Sequence, residues 1–258
     1  MGTMKLFLAI LFLGLATSAQ GQVLLTGRAQ TFHYTDASVQ AVARGAEERE
    51  YLEFSQEGAL SRNGNMQTAL DALLQSIVAQ ATALRPRLAA LNWRVLLVRD
   101  ASFTMASKPS GLLTISEPYL REWAFSNEEL AFFMAHEVAH VAAEHVREIL
   151  SDVPRHYQPG LPISALQAAQ LLIQRASVFE DMAPMHRNLE LEADLIGMLL
   201  VRPLGISGPQ VLTAFDKMAR AETGYRMADD HDPAMVRKQK LAQALPGLDA
   251  SIVSASEP

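Results

Sequence analysis

A helix with two histidines one turn apart is the feature that most constrains this chain. Ser126 and Glu129 form a capping box ahead of the apolar run ELAFFMA, which predicts a helix from residue 126 to about residue 150. His136 and His140 lie four residues apart within it, so both imidazoles leave the same face of the helix. The rest of the chain must therefore fold so that this face meets a group able to complete a site.

The residue types in this stretch predict metal chemistry. The spacing of His136 and His140 suits two ligands of one metal ion, and Glu137 is rotated by about 100° from His136, beside the metal. From there Glu137 could take a proton from an activated water and pass it to a leaving amine, as in an H-E-x-x-H helix. The chain contains no cysteine, so any metal must be held by His, Asp or Glu.

A catalytic zinc needs a third protein ligand. A third histidine brought in by a glycine bend is excluded, because Ala143 and Val146 stand at the positions that such a motif requires. The other source is a glutamate on a second helix. The segment RNLELEADLIG offers Glu190 and Glu192, which point about 200° apart on a helix.

Glu190 is the predicted ligand because of its neighbour on the same face. Asp194 lies four residues further on and could hold the second nitrogen of a histidine ligand, which would set the tautomer of that histidine. Glu192 gains no such partner on its own helix face. The alternative is that Glu190 and Asp194 are solvated carboxylates of an amphipathic helix.

Two further residues near these motifs carry predictions. His145 lies about 500° around the helix from His140, so it is predicted as a polar or packing residue near the site and not as a ligand. Gly197 lies on nearly the same side as Glu190, which would allow two helices to approach closely there.

The order of elements predicts a predominantly helical α+β domain. Strands are predicted at 93–98 and 112–116, separated by a polar loop. Residues 22–258 are predicted to form a single domain. Besides the histidine helix, helices are predicted at 36–58, 66–84, 164–180, from 186 to before 203, at 209–223 and after 233, with MAPM at 182–185 as a break.

The N-terminus has the features of a secretory leader. One lysine precedes an apolar run at 6–16 and small residues follow, which predicts a signal peptide over 1–21, cleaved after Ala19 or after Gly21. No other apolar run is long enough to cross a bilayer. The net charge of −6 argues against a nucleic-acid partner. The sequence therefore predicts a periplasmic protein, with secretion as the alternative, and no transmembrane segment in the mature chain.

The stretches SNEELAFFMAHEVAHVAAEH and RNLELEADLIG resemble the gluzincin metallopeptidases that include HtpX, the CAAX prenyl proteases and BepA. The resemblance covers about 66–241 and implies a zincin-like metallopeptidase domain with a small sheet beside the H-E-x-x-H helix. It implies one zinc ion per chain, held by His136, His140 and Glu190, with Glu137 as the general base. Arg187 stands three residues before the ligand glutamate, as an arginine often does in that family.

Two flanking stretches fit the same family more loosely. ASFTMASKPSGLLTIS resembles the family's loop and strand before the metal helix, with Ser102 in place of an asparagine and Gly111 as a candidate cleft residue. HDPAMVR resembles the family's His-Pro-x-x-x-x-Arg, with Asp232 in place of the proline. By this resemblance His231 is a candidate catalytic residue that stabilises the oxyanion or shields the zinc of a latent site. Arg237 is a candidate substrate or cleft residue.

The resemblance implies a zinc-dependent endopeptidase that hydrolyses protein or peptide substrates. Its implied role is quality control or maturation of envelope proteins, with misfolded envelope proteins as candidate substrates. One alternative is a zinc-bound chaperone or binding module with a latent active site, and another is a helical domain with a chance motif. Glu137 favours the peptidase, because zinc binding alone does not need it. No oligomeric state is predicted.

Overall fold

The computed structural model describes residues 19–23, 26–157, 162–222 and 232–255. The other positions, with His231 among them, lie outside the described residues. Within the described ranges the chain is predominantly helical with two small sheets, which confirms the predicted α+β class.

Helices make up most of the described chain. None of those in the described ranges is both long enough and apolar enough to span a bilayer. The helices are α1 (Asp36–Gln56), α2 (Gly64–Leu84), α3 (Glu117–Trp123), α4 (Asn127–Ala142), α5 (His145–Tyr157), α6 (Ala165–Gln174), α7 (Ala176–Val201), α8 (Gly208–Glu222) and α9 (Ala234–Ala255), with 3-10 helices at Pro86–Ala90 and Arg202–Leu204.

The strands form a hairpin and a three-stranded sheet. They are β1 (Ala19–Gln22), β2 (Ala29–Phe32), β3 (Arg94–Val98), β4 (Met105–Ser107) and β5 (Leu112–Ser116). In the larger sheet, β5 lies between β3, to which it is parallel, and β4, to which it is antiparallel. The two predicted strands are confirmed as β3 and β5. Strand β4 lies within the predicted polar loop. It is not predicted, because three residues are too few to show an alternating pattern.

The single long helix predicted after the capping box is wrong in its second half. The capping box at Ser126 is present and starts α4, but α4 ends at Ala142 and α5 begins at His145. Glu144 between them has a positive φ of 57°, which turns the chain out of the helical path. Arg85 at the end of α2 donates to the Ala142 carbonyl and binds the Glu144 carboxylate at 2.7 Å. A carbonyl freed at the end of α4 thus finds a partner.

Helix α7 is continuous where MAPM predicts a break. Pro184 lies inside it and removes one helical hydrogen bond, the one to the carbonyl of Glu180. Both residues are exposed, so water can satisfy that carbonyl while Met182 and Ala183 stay buried. The break falls instead at Arg175, whose extended backbone separates α6 from α7.

Helix α4 lies at the centre of the main core. Its residues Phe132, Met134 and Val138 are 0% exposed, and the helix packs against α2, α7, α8 and β4. Helix α7 comes very close at Gly197, where a Cβ would lie 3.0 Å from the backbone nitrogen of His136. The close approach predicted at Gly197 is therefore confirmed, and it brings α7 next to the histidines of α4.

Candidate metal centre

Two histidines of α4 point into one small space. His136 Nε2 and His140 Nε2 lie 3.0 Å apart, and the two rings meet edge to face with centroids 4.7 Å apart. His136 is buried, whereas His140 is partly exposed. The four-residue spacing on one helix face therefore brings both Nε2 atoms together, with the His140 side open to the exterior.

Glu190 of α7 completes a group of three. Its Oε2 lies 3.1 Å from His136 Nε2, and its Oε1 lies 3.3 Å from His140 Nε2. The three ligand atoms all lie within 4.8 Å of one another. Tetrahedral zinc with bonds of about 2.0–2.1 Å would hold its ligand atoms roughly 3.3 Å apart, so this spacing fits such an ion. Two imidazoles and one carboxylate also match the donors of catalytic sites that keep a fourth position for water.

His136 is held from behind by a buried carboxylate. Asp194 Oδ1 lies 3.0 Å from His136 Nδ1, and the Asp194 side chain is 1% exposed. Arg237 of α9 donates to the same carboxylate from Nε at 2.9 Å and from Nη2 at 2.6 Å. The guanidinium balances the charge of Asp194 in the interior, and Asp194 orients the His136 ring so that Nε2 faces Glu190.

These contacts set the charge of His136 when no metal is bound. Burial opposes its protonation, but hydrogen bonds with Asp194 and Glu190 outweigh burial and raise the pKa of His136 to about 9. Burial also opposes ionisation of Asp194, yet Arg237 and His136 together lower the pKa of that carboxyl. A metal ion at Nε2 must displace the His136 proton, so metal binding weakens as the pH falls.

His140 has a different partner behind it. His145, the first residue of α5, places Nδ1 3.0 Å from His140 Nδ1 and Nε2 3.2 Å from Glu192 Oε2. Burial lowers the pKa of His145 to about 4, so this ring is neutral at physiological pH. Within the described part of the chain, Glu192 has no partner on its own helix face, as predicted, but it finds one in His145 of α5. The break at Glu144 starts a new helix at His145, which places its ring between α4 and α7.

Glu192 is also bound by a segment for which the sequence predicts no role. Arg28 donates to Glu192 Oε2 from Nε at 2.8 Å and from Nη2 at 2.7 Å, and Thr26 donates its hydroxyl to the same carboxylate. Burial raises the pKa of Glu192, but the hydrogen bonds from His145, Arg28 and Thr26 outweigh it and lower the pKa to about 2. Arg28 and Glu192 are 164 residues apart, so no local signal could have revealed the contact.

Glu137 follows His136 directly in α4. It is partly exposed, and its charge acts on Tyr119 and on Arg237. Burial raises the pKa of Tyr119 and the charge of Glu137 raises it further, so the phenol stays protonated. Tyr119 belongs to α3, which the Ser116 hydroxyl caps at the end of β5. A tyrosine in a short helix gives no chemical signal in the sequence, so no sequence pattern indicates that Tyr119 lies within the electrostatic influence of Glu137.

Two residues predicted for the cleft, Gly111 and Arg237, are both buried. Gly111 is buried in the turn between β4 and β5 with a φ of 95°, and a Cβ there would lie 3.2 Å from the Trp93 ring. Backbone conformation and packing thus account for this glycine. Arg237 is 2% exposed and binds Asp194, because the buried carboxylate needs a cation. Arg237 thus lies behind His136, and its role as a substrate or cleft residue stays a prediction.

The segment before α9 lies close to α7 at Arg187, three residues before Glu190. Arg187 Nε lies 3.8 Å from Asp232 Oδ1, which links α7 to the residues that precede α9. His231, the neighbour of Asp232, lies outside the described residues. Its catalytic role therefore stays a prediction.

Comparison with known proteins identifies one family. The sequence profile described as Peptidase family M48 matches residues 65–244, which is more than half of the chain. The mitochondrial metalloendopeptidase OMA1 of Arabidopsis thaliana is 27% identical over 169 residues. That similarity covers 64% of this chain and 34% of the Arabidopsis protein, so the chain spans about a third of that relative's length.

Proposed function

We propose that this chain, which belongs to peptidase family M48, is an endopeptidase with one catalytic zinc ion. The observation that carries the proposal is the convergence of His136, His140 and Glu190 on one point, with Glu137 on the adjacent helix position. Zinc binding alone does not require Glu137, whereas hydrolysis requires a base. The Arabidopsis relative is named a metalloendopeptidase, which supports cleavage within protein chains.

The side chains around the three ligands have separate tasks in hydrolysis. Zinc, when bound, would acidify a water and polarise the scissile carbonyl. Glu137 takes the proton of the attacking water and delivers it to the leaving amine. Asp194 keeps the hydrogen of His136 on Nδ1, which leaves Nε2 free to bind the metal. His231 would donate a hydrogen bond to the developing oxyanion.

Substitution of Glu137 separates catalysis from metal binding. We expect Glu137→Gln to keep about one zinc per chain and to cleave casein roughly 10²–10⁴-fold more slowly, because an amide cannot take up the proton of water. Glu128→Gln, in the first turn of the same helix, is the matched control and should leave both readings unchanged. Zinc content by atomic absorption and casein cleavage are measured on the same samples.

The outcomes of this experiment discriminate among the alternatives. Undiminished cleavage by Glu137→Gln would contradict the assignment of the base. Zinc without cleavage in the wild type would favour the chaperone or binding module. A folded wild type without zinc would contradict the metallopeptidase altogether, whereas zinc that is lost in Glu190→Gln supports the proposed ligand set.

We also propose that the protein acts in the periplasm on misfolded or maturing envelope proteins. The support is the lysine, apolar run and small residues of 1–21, which are typical of a cleaved leader. Fractionation of Gram-negative cells that express the full chain should recover it in the periplasm, with Gln20 or Gln22 as the first residue. An uncleaved chain in the cytoplasm would contradict export, and recovery from the medium would indicate secretion.

A further inference from the structure

Each histidine of the metal centre has a second ring nitrogen with a partner. His136 Nδ1 faces the carboxylate of Asp194, and Arg237 balances that charge. His140 Nδ1 faces another histidine, His145, at 3.0 Å. His136 thus contacts a carboxylate directly, whereas His140 contacts a second imidazole. The orientation of His140 therefore depends on the residues that hold His145 in place.

The contact between the two rings sets the tautomer of both. If His140 gives Nε2 to a metal ion, its hydrogen is on Nδ1 and must be donated. His145 Nδ1 must then accept it, so the His145 hydrogen is on Nε2, the atom that lies 3.2 Å from Glu192 Oε2. The donors therefore run in one direction, from His140 through His145 to the carboxylate of Glu192.

Arg28 holds the end of this chain of hydrogen bonds. Glu192 is 6% exposed, and its Oε2 accepts from both Nε and Nη2 of Arg28. The same guanidinium binds Glu148 of α5 at 2.6 Å through Nη1 and at 2.7 Å through Nη2. Without Arg28 the two buried carboxylates would lose the cation that lies between them, and Glu192 would no longer be held against His145.

The segment that carries Arg28 is anchored at the same place. Gln30 in β2 is 2% exposed and donates to the Ala143 carbonyl at 2.7 Å and to Glu148 Oε2 at 2.8 Å. These contacts join β2 to the break between α4 and α5. The backbone that bears Arg28 therefore lies close to the end of α4. Arg28 can bind Glu192 and Glu148 because its own backbone is held nearby.

We propose that Arg28 is a positioning residue of the metal centre. It holds Glu192, Glu192 orients His145, and His145 keeps His140 turned as a ligand. Arg28 lies before the residues 65–244 that match the family profile, so the N-terminal segment of this chain supplies this support. The inference rests on the proposed zinc site.

The test measures the zinc affinity of the purified protein by competition with a chromogenic chelator. We expect Arg28→Met to raise the zinc Kd about 10-fold or more, the usual effect of losing a group behind a metal ligand. Arg94→Met is the matched control. Arg94 of β3 forms an ion pair with Glu47 of α1 at 2.7 Å, and its loss should change the zinc Kd less than twofold.

A double-variant cycle tests the path from Arg28 to the metal. In a His145→Leu background the path is already broken, so Arg28→Met should change the zinc Kd less than twofold. If the losses of zinc-binding free energy in Arg28→Met and His145→Leu add in full in the double variant, the proposal is overturned. The visible spectrum of the cobalt-substituted protein should also change in Arg28→Met and stay unchanged in Arg94→Met, because it reports ligand geometry at the metal.

The remaining outcomes are decisive as well. If Arg28→Met does not fold, Arg28→Lys replaces it, because an ammonium cannot bind Glu192 and Glu148 through a paired fork. A zinc Kd raised more than twofold in Arg28→Lys supports the proposal, and an unchanged Kd overturns it. Wild type that binds no zinc overturns the proposed function and this inference together. Zinc binding by the wild type with an unchanged Kd in Arg28→Met overturns this inference alone.

Discussion

At the scale of single residues, the two candidate ligand histidines belong to one motif but have different surroundings. His136 is buried, and its Nδ1 contacts the charged carboxylate of Asp194. His140 is partly exposed, and its Nδ1 contacts the neutral imidazole of His145. A carboxylate partner makes an imidazole more basic than a neutral partner does, so His136 should be the stronger ligand.

The first residue-scale prediction concerns Asp194. Asp194→Asn leaves the buried Arg237 side chain without its charge partner, so we expect a loss of about 3–5 kcal/mol in the free energy of unfolding. Urea denaturation in the presence of a chelator measures this without a metal contribution. Asp216→Asn is the control: its carboxylate pairs with Lys238 near the surface, and its loss should cost less than about 1 kcal/mol. Equal losses in the two variants would argue against a buried ion pair behind His136.

At the scale of elements, the geometry of the candidate metal centre depends on how closely α7 approaches α4. The histidines belong to one helix and the glutamate to the other, so the distance between the helices sets the size of the site. Gly197 allows the contact, because its missing side chain leaves room for the backbone at His136. The close approach therefore depends on Gly197 of α7 and the His136 backbone of α4 together, and not on either helix alone.

The element-scale prediction follows from that contact. Gly197→Ala places a methyl group 3.0–3.1 Å from His136 N and Cα, which forces the helices apart by a few tenths of an ångström. We expect lower zinc affinity and a lower thermal midpoint, despite the gain of about 1 kcal/mol that alanine brings to a helix. Gly45→Ala in α1 meets only the end of Arg49 at 3.6 Å and should be stabilising. Calorimetry and chelator competition check both, and a stabilised Gly197→Ala with unchanged zinc affinity would refute a tight crossing.

At the scale of the whole molecule, segments far apart in the chain converge on the metal centre. Arg28 comes from the N-terminal segment and Arg237 from α9, and each places a cation on a carboxylate of α7. Helix α4 lies in the core and packs against α7. Bound zinc would tie α4 to α7 at this junction, so metal binding should be coupled to global stability.

The whole-molecule prediction is a zinc-dependent thermal midpoint. Free zinc at about 1,000 times its Kd should stabilise the folded state by about 4 kcal/mol, and each kcal/mol should raise the midpoint by roughly 2–4 °C for a domain of this size. Differential scanning calorimetry with zinc and with a chelator measures the difference. Glu190→Gln should remove most of it, whereas Glu180→Gln, exposed on the same helix, should retain it. The same midpoint in zinc and in chelator would contradict a metal site between the helices.

Local patterns in the sequence predict much of this protein. The capping box predicts the start of α4, and the four-residue spacing places two imidazoles on one face, since helix rotation is the same in every fold. The apolar runs predict β3 and β5, and the face shared by Glu190 and Asp194 predicts which carboxylates stand together. In each case the residues that determine the local structure lie within a few positions of one another in the sequence.

The tertiary structure alone decides the rest. The end of α4 depends on Arg85 and Glu144, and the continuity of α7 depends on which side of the helix Pro184 faces. The partners of Glu192 and Asp194 are arginines from distant parts of the chain, Arg28 and Arg237. A buried charge requires a countercharge, but that requirement does not say which of many arginines supplies it. Only the packing of the whole chain selects the one that is near.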